Sequence, residues 1–183
     1  MRLISLLRKY KISPDLVSLD QCFMVKPEAI RAVIRACELK KSDVVLEIGS
    51  GTGILTDKLS KYAKKVYAVE KDERMLEVLT DMLGKKKNVE IIIGDAKKVG
   101  FLDANKIISN LPYTICEWFF EKLDSSKFDL AVATIPLKFF QNQSKKYENL
   151  SCEKVRDLLP GDFYPQPSVK SVIVKIKRKI KKD

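Results

Sequence analysis

The sequence predicts an α/β fold in which helices cover both faces of a mostly parallel sheet. Short apolar runs of strand length alternate with segments of helical periodicity along most of the 183 residues. A glycine-rich turn follows the first of the runs in this alternating region, and acidic residues stand at the ends of the next two. Alternation of this kind brings the carboxyl ends of parallel strands to one edge, where such folds bind ligands. We therefore expect the functional site at that edge.

The predicted elements follow one another in a regular order. Pro27 suits the first turn of a helix whose apolar residues recur at helical spacing to Cys37. Asp72 is predicted to cap a helix that ends near Leu83. Strands are predicted at 43–48, 65–70, 89–93, 106–109, 128–134 and 171–176, and further helices at 54–63 and 115–123. The polar, lysine-rich stretch 141–149 is predicted to be a loop.

The composition excludes several kinds of chemistry. The chain has no histidine, so no Ser-His-Asp triad, imidazole base or histidine metal site can form within it. Its four cysteines form no C-x-x-C pair, so we expect no metal and reduced thiols in a cytoplasmic protein. No apolar run is long enough to cross a bilayer and no secretory cleavage site follows the N-terminus, so no membrane partner is expected.

The positive charge is concentrated near the end of the sequence. The formal net charge is +11, and residues 170–183 hold seven lysines or arginines against one acid. Smaller basic clusters lie at 85–87 and around Lys138, Lys145 and Lys146. Such runs suit a polyanionic partner, but a solvated tail or loop has the same composition. Charge alone leaves both interpretations open.

The strongest local signal is the turn Leu46-Glu-Ile-Gly-Ser-Gly-Thr-Gly53. Alternate glycines between a strand and a helix let the backbone turn sharply and approach a ligand closely. A dinucleotide-binding fingerprint requires a small residue at position 54, where this chain has Ile54. The turn therefore indicates a nucleoside without a pyrophosphate, although a tight strand-to-helix connection also favours glycine.

Two acids extend this nucleoside hypothesis. Glu70 ends the second strand, where a carboxylate can accept hydrogen bonds from both ribose hydroxyls. Asp95 follows the third strand and is placed to accept a hydrogen bond from an adenine amino group. Either acid alone is as well explained as a helix cap or a surface residue. Together, at the ends of successive strands, they predict a ribose site beside an adenine site.

The tetrapeptide Asn110-Leu-Pro-Tyr113 follows the fourth strand. An exocyclic amine is a poor nucleophile because its lone pair is delocalised into the ring. Asn110 and the carbonyl of Leu111 could accept both amino protons, while Pro112 fixes the turn and Tyr113 stacks on the base. An ordinary Asn-x-Pro turn is the alternative, and the position downstream of the nucleoside acids favours the catalytic interpretation.

In this combination the chain resembles the ribosomal RNA adenine N6-dimethyltransferase family, of the KsgA type and related to the Erm methyltransferases. The resemblance covers about residues 18–177 and implies the Rossmann-like class I methyltransferase fold, a mostly parallel seven-stranded sheet with an antiparallel last strand and helices on both faces. The matching motifs are Gln21-Cys-Phe-Met24, the segment 47–56, Glu70, Gly94-Asp95, Asn110-Leu-Pro-Tyr113 and Phe163-Tyr-Pro-Gln-Pro-Ser-Val169.

The resemblance also implies a cofactor, S-adenosyl-L-methionine, and the residues that hold it. The catalytic residues implied for the target adenine are Asn110, Leu111, Pro112 and Tyr113. The cofactor-binding residues implied are Gln21, Cys22, Met24, Gly49, Gly51, Glu70, Asp95, Ala96 and Asn110. Cys22 stands where the family has Asn or His, which weakens a polar contact to the methionine part of the cofactor. Met24 in place of leucine is a milder change.

The activity implied is methyl transfer to the N6 amino group of adenine in RNA, most simply small-subunit ribosomal RNA in the cytoplasm. We expect an N-terminal segment with the first cofactor motif at 1–25, a methyltransferase domain at 26–177 and a basic tail at 178–183. The segment after the fifth strand is shorter than in the family, and the family's helical C-terminal domain is expected to be missing. A non-catalytic nucleic-acid-binding protein, or a methyltransferase acting on another amine or amide, therefore stays an alternative.

Overall fold

The fold is built on a central sheet flanked by helices, and the computed structural model describes residues 2–143 and 146–179. The strands in this part of the chain are β1 (Phe23–Met24), β2 (Val44–Ile48), β3 (Lys65–Glu70), β4 (Val89–Ile93), β5 (Lys106–Asn110), β6 (Leu130–Pro136), β7 (Leu150–Leu158), β8 (Phe163–Tyr164) and β9 (Ser171–Arg178). The helices are α1 (Arg2–Lys9), α2 (Pro27–Ala36), α3 (Ile54–Leu59), α4 (Leu76–Leu83), α5 (Ala96–Val99), α6 (Cys116–Ser125) and α7 (Leu137–Gln143).

The main sheet has seven strands in the order β4-β3-β2-β5-β6-β9-β7. All neighbours from β4 to β6 pair in parallel, whereas β9 is antiparallel to both β6 and β7. This confirms the predicted mostly parallel sheet with an antiparallel last strand. After β4 the chain returns to the other side of β2, so the strand order reverses between β2 and β5. Ligands of open α/β sheets bind at such a reversal, beyond the carboxyl ends of the strands.

Helices cover both faces of the sheet because apolar side chains alternate along its strands. In β2, Val45 packs in a cluster with residues of α2 and α3, whereas Leu46 packs in a second cluster with Phe119 and Phe120 of α6. All four side chains are fully buried. Burial of a large apolar side chain contributes about 1.5–3 kcal/mol, so these two layers fix the sheet and its carboxyl edge.

Strand β7 is the seventh strand, and the sequence did not locate it. It pairs with β9 at the edge of the sheet, and most of its residues between Leu150 and Leu158 are exposed. An edge strand with charged side chains resists pairing with other chains, but it lacks the apolar alternation that reveals a strand in a sequence. The preceding region 137–143, part of which was expected to be a loop, is helix α7.

Helix α1 was also not predicted, and it packs on α4. Leu3 and Leu7 lie one helical turn apart, and both are buried against a cluster that includes Val78 and Leu79. At the end of α1 the ammonium of Lys9 forms an ion pair with Asp81 at 3.1 Å. This docking holds the N-terminal segment against the body of the domain.

Two basic features predicted from the sequence lie outside the described residues. They are Lys145 in the 141–149 stretch and residues 180–183 of the tail. Within the described part of the chain, none of the helices combines the length and the apolar character needed to span a membrane.

Candidate active site

The predicted site residues converge on one cavity at the carboxyl edge of the sheet, where the strand order reverses. The register that pairs Ile48 of β2 with Ser109 of β5 brings the glycine-rich turn beside Asn110. Met24 is the exception among the predicted residues, because it lines a smaller neighbouring cavity instead. The predicted residues that line the main cavity are Gln21, Cys22, Gly49, Gly51, Glu70, Asp95, Ala96, Asn110, Leu111, Pro112 and Tyr113.

The glycine-rich turn depends on a backbone conformation that side chains disfavour. Gly49, Gly51 and Gly53 have φ angles of 75°, 54° and 79°. A Cβ atom on Gly51 would lie 2.8 Å from the Phe23 ring, which is closer than any normal contact. The turn therefore passes closely under β1, and the absence of side chains leaves backbone facing the cavity.

Gly51→Ala is expected to destabilise the protein by about 1–3 kcal/mol, because it adds both backbone strain and the clash with Phe23. Thermal or denaturant unfolding measures this change. Gly161→Ala is the matched control, since a Cβ there meets nothing within 4 Å. Equal stability of the two variants would contradict the close packing of the turn.

Glu70 joins the turn to the end of β3. Its two carboxylate oxygens accept the N–H of Gly51 at 2.6 Å and the N–H of Asp72 at 2.9 Å. Burial raises the pKa of this carboxyl, and the backbone N–H groups offset part of the rise. Each carboxylate oxygen has a second lone pair, so Glu70 can still accept hydrogen bonds from a ribose.

Asp95 caps helix α5 at the same edge. Its Oδ1 accepts the N–H of Lys97 at 2.9 Å, and its Oδ2 lies 3.3 Å from the ammonium of Lys71. The hydrogen bond from the Lys97 N–H lowers the pKa of this carboxyl below its usual range, and the ammonium of Lys71 lowers it further. The capping role considered from the sequence is therefore present, and an adenine amino group would share Oδ2 with Lys71.

The amide of Asn110 is oriented by the N-terminal segment. Its Nδ2 donates to the backbone carbonyl of Cys22 at 2.8 Å. Because only the nitrogen of an amide can donate to a carbonyl, this bond leaves Oδ1 as the acceptor end of the side chain. Position 22 thus contributes its backbone, and the change to cysteine there does not remove this contact.

Tyr113 is fixed at both ends. Its backbone N–H donates to the carboxylate of Asp20 at 2.6 Å, and its hydroxyl lies 2.5 Å from Oγ of Ser171 on β9. Burial raises the pKa of Tyr113 to about 12, so the phenol stays neutral at physiological pH. The ring is therefore a neutral, immobilised surface beside Asn110.

Gln21 links the N-terminal segment to Asp72, which follows β3. Its Nε2 donates to Oδ2 of Asp72 at 2.8 Å, and its Oε1 accepts the N–H of Asp15 at 2.9 Å. Arg74 binds the same Asp72 carboxylate at 2.7 Å. Both ends of the Gln21 amide are thus hydrogen-bonded within the protein, and these bonds hold the N-terminal segment beside the cavity.

A smaller cavity lies behind the glycine-rich turn, and Met24 and Glu47 line it. Burial raises the pKa of Glu47 to about 8. Oε2 of Glu47 and the hydroxyls of Ser50 and Thr134 have no hydrogen-bond partner among the described residues. An unpartnered, buried carboxyl favours its neutral form.

Sequence reasoning missed three residues at the site. Asp20 and Phe163 line the cavity, and Ser171 contacts the Tyr113 hydroxyl. Phe163 opens the matched segment 163–169, so that motif was a usable signal. Asp20 and Ser171 carry no local signal, because they lie in segments far from Tyr113 in sequence that meet it only in the folded chain.

Comparison with known proteins places this arrangement among RNA-modifying enzymes. Residues 16–183 match the family described as "Ribosomal RNA adenine dimethylase". A protein of Thermococcus sibiricus named "Probable ribosomal RNA small subunit methyltransferase A" is 38% identical, and the match covers 98% of this chain and 70% of the relative. A protein of the same name from Pyrococcus abyssi is 42% identical, with 96% and 69% covered.

Solved structures give the same result for the fold. A dimethyladenosine transferase from Plasmodium falciparum is 32% identical with a TM-score of 0.77, covering 86% of this chain and 63% of that chain. The 23S rRNA methyltransferase ErmE has a TM-score of 0.79 at 23% identity, covering 87% and 70%. The Rossmann-like methyltransferase fold expected from the sequence is confirmed.

Proposed function

Because the chain belongs to the ribosomal RNA adenine dimethylase family, we propose that it transfers methyl groups from S-adenosylmethionine to the N6 amino group of adenine in small-subunit ribosomal RNA. The observation that carries this proposal is the orientation of Asn110. Its amide nitrogen is bound to the Cys22 carbonyl, which leaves the amide oxygen as the acceptor for an amine placed in the cavity that Asn110 lines. Tyr113 lies beside it as a stacking surface. We place this activity in the cytoplasm.

The described residues fit S-adenosylmethionine. The glycine-rich turn offers backbone at close range, and a Cβ at Gly51 would meet the Phe23 ring, which lines the same cavity. Glu70, held by two backbone N–H groups, presents a fixed acceptor for ribose hydroxyls. Asp95 and Ala96 line the same cavity after β4, which suits an adenine ring. When bound, the cofactor supplies an electrophilic methyl group on a positively charged sulfur.

The chain's own residues make the target amine reactive. Asn110 Oδ1 and the carbonyl of Leu111 accept the two amino hydrogens, which concentrates electron density on N6. Pro112, with φ near −55°, holds the turn that separates these acceptors from Tyr113. Reach into the cavity requires the adenosine to leave its stack in the RNA, as it does in other enzymes that act on bases. Positioning and hydrogen-bond acceptance therefore replace the missing imidazole base.

Transfer of labelled methyl from S-adenosylmethionine to small-subunit RNA tests the proposal. We expect N6-methylated adenosine in the digested product, and mass spectrometry separates one methyl from two. Calorimetry of cofactor binding accompanies the assay. Binding without transfer to any RNA would favour the alternative of a nucleic-acid-binding protein that keeps the fold, and transfer to a protein amide would favour the other alternative.

A further inference from the structure

A second concave surface adjoins the candidate active site across the β1–β8 ribbon. It is formed by the C-terminal half of α1, the residues that follow α1, and Tyr164 of β8. We call it the N-terminal groove. Phe163 lines the active-site cavity and the next residue, Tyr164, lines the groove, because successive side chains of a strand point to opposite faces. The ribbon is therefore a wall that the two surfaces share.

The groove carries two cations without acidic partners. Arg8 and Lys11 line it and are exposed, and no carboxylate within residues 2–143 and 146–179 forms an ion pair with either. Asp15 is the acid nearest in sequence to Lys11, and Asp162 is the acid nearest to Tyr164. Both direct their carboxylates to backbone N–H groups. Oδ1 of Asp15 accepts the N–H groups of residues 17 and 18, and Asp162 accepts the N–H of Leu159. The positive charge of the groove is thus available to an anion.

Lys11 adopts a backbone conformation that lowers the stability of the folded protein. It has a φ of 53° at the end of α1, where the N–H of Ile12 closes the helix by donating to the carbonyl of Leu7 at 2.9 Å. Glycine is the usual residue in this left-handed position, and another residue there costs on the order of 1 kcal/mol. A strained lysine that points its charge into a groove is a candidate for a binding role.

Tyr164 supplies an aromatic surface in the same groove. The residue is 39% exposed although it belongs to a paired strand. Cations beside an exposed aromatic ring are the combination that binds single-stranded nucleic acid, where bases stack on the ring and phosphates meet the cations. Stacking on a protein ring requires an unpaired base.

We propose that the N-terminal groove binds an unpaired RNA nucleotide next to the target adenosine, with its base on Tyr164 and its phosphates on Arg8 and Lys11. The proposal rests on the proposed function, since the RNA that carries the target is the ligand. It explains how RNA could be held close to the cavity while the target base enters beside Phe163. The target base beside Phe163 and the neighbouring base on Tyr164 would then lie on opposite faces of β8.

Lys11→Gly and Tyr164→Ala test the groove with a fluorescent single-stranded RNA that contains adenosine. Lys11→Gly should raise the melting temperature by about 2–4 °C by relieving strain, yet weaken RNA binding several-fold. A plot of the logarithm of the RNA association constant against the logarithm of the salt concentration has a negative slope. For Lys11→Gly this slope should become shallower by about 0.7, the value for one lost phosphate contact on a single strand. Tyr164→Ala should weaken binding by about ten-fold with an unchanged salt slope. A merely structural role for Lys11 would not change stability and affinity in opposite directions.

Lys127→Ala is the matched control, because it removes an exposed charge just before the amino end of β6 and lies outside the basic clusters of the sequence. Calorimetry with S-adenosylmethionine should give wild-type affinity for all three variants. Wild-type RNA affinity in both groove variants would overturn the inference, even if the wild-type protein methylates RNA. Absence of methyl transfer by the wild-type protein, with RNA binding still sensitive to the two groove substitutions, would instead count against the proposed function.

Discussion

Replacing Asn110 by alanine is expected to lower the rate of methyl transfer by about 10²–10³-fold, the range found when one preorganised polar group is removed from an active site. The substitution removes the acceptor for one amino hydrogen of the target and also the hydrogen bond to the Cys22 carbonyl. Single-turnover transfer of labelled methyl, with RNA and cofactor saturating, measures the chemical step. Retention of the wild-type rate would contradict the role assigned to this side chain.

The control for Asn110 must separate lost chemistry from lost stability. Asn88→Ala serves, because the Asn88 amide likewise donates to backbone carbonyls, in its case those of Ser60 and Ala63, but lies at the amino end of β4. We expect this variant to unfold at a lower temperature and to keep its activity below that temperature. A large loss of activity in Asn88→Ala would mean that stability, rather than the acceptor oxygen, controls the assay.

The protein should lose stability as the pH rises from about 5 to 8, and Glu47→Gln should remove much of that loss. Burial raises the pKa of Glu47 from 4.5 to about 8, so the folded state holds a proton that the unfolded state releases. Stability from this group is full below the unfolded value and is lost as the pH rises through the folded value. At about 1.4 kcal/mol per pKa unit, the loss is on the order of 4 kcal/mol.

Chemical denaturation at several pH values between 5 and 8 measures this effect. Glu47→Gln keeps the shape of the side chain and cannot ionise, so we expect it to be the more stable protein at pH 8 and the difference to shrink toward pH 5. Glu153→Gln on the exposed strand β7 is the control and should follow the wild type. Parallel wild-type and Glu47→Gln profiles would show that the buried carboxyl does not titrate in this range. The interval avoids the acidic pH at which carboxyls with lowered pKa, such as Asp95, become protonated.

Local sequence patterns were sufficient to locate those elements whose conformation depends on neighbouring residues in the chain. Local sequence alone indicates the apolar runs of β2 to β6, the turn at Gly49 to Gly53 and the motif at Asn110 to Tyr113. Buried parallel strands have near-continuous apolar sequences, and tight turns need glycine, so both leave a clear trace. The family resemblance drawn from these motifs is confirmed by the match of residues 16–183.

The roles of Gln21, Asp95 and Cys22 needed the structure. Each was predicted as a cofactor contact, an assignment that stays a prediction, and each makes a bond within the protein. Gln21 clasps Asp72, Asp95 caps α5, and Cys22 orients Asn110 through its carbonyl. A side chain's partners across the fold depend on distances that its own sequence neighbours do not encode.

The sequence by itself determined the order of the parallel strands β2 to β6, the carboxyl edge as the place of the site, and a chemistry based on hydrogen-bond acceptors and a stacking ring instead of a base. Only the tertiary structure decided which way the Asn110 amide faces, that Glu47 is buried without a partner for Oε2, and that Arg8, Lys11 and Tyr164 share a groove. The reason is physical. Periodicity and turn chemistry act over a few residues, whereas burial and hydrogen-bond partners arise when segments far apart in the chain pack together.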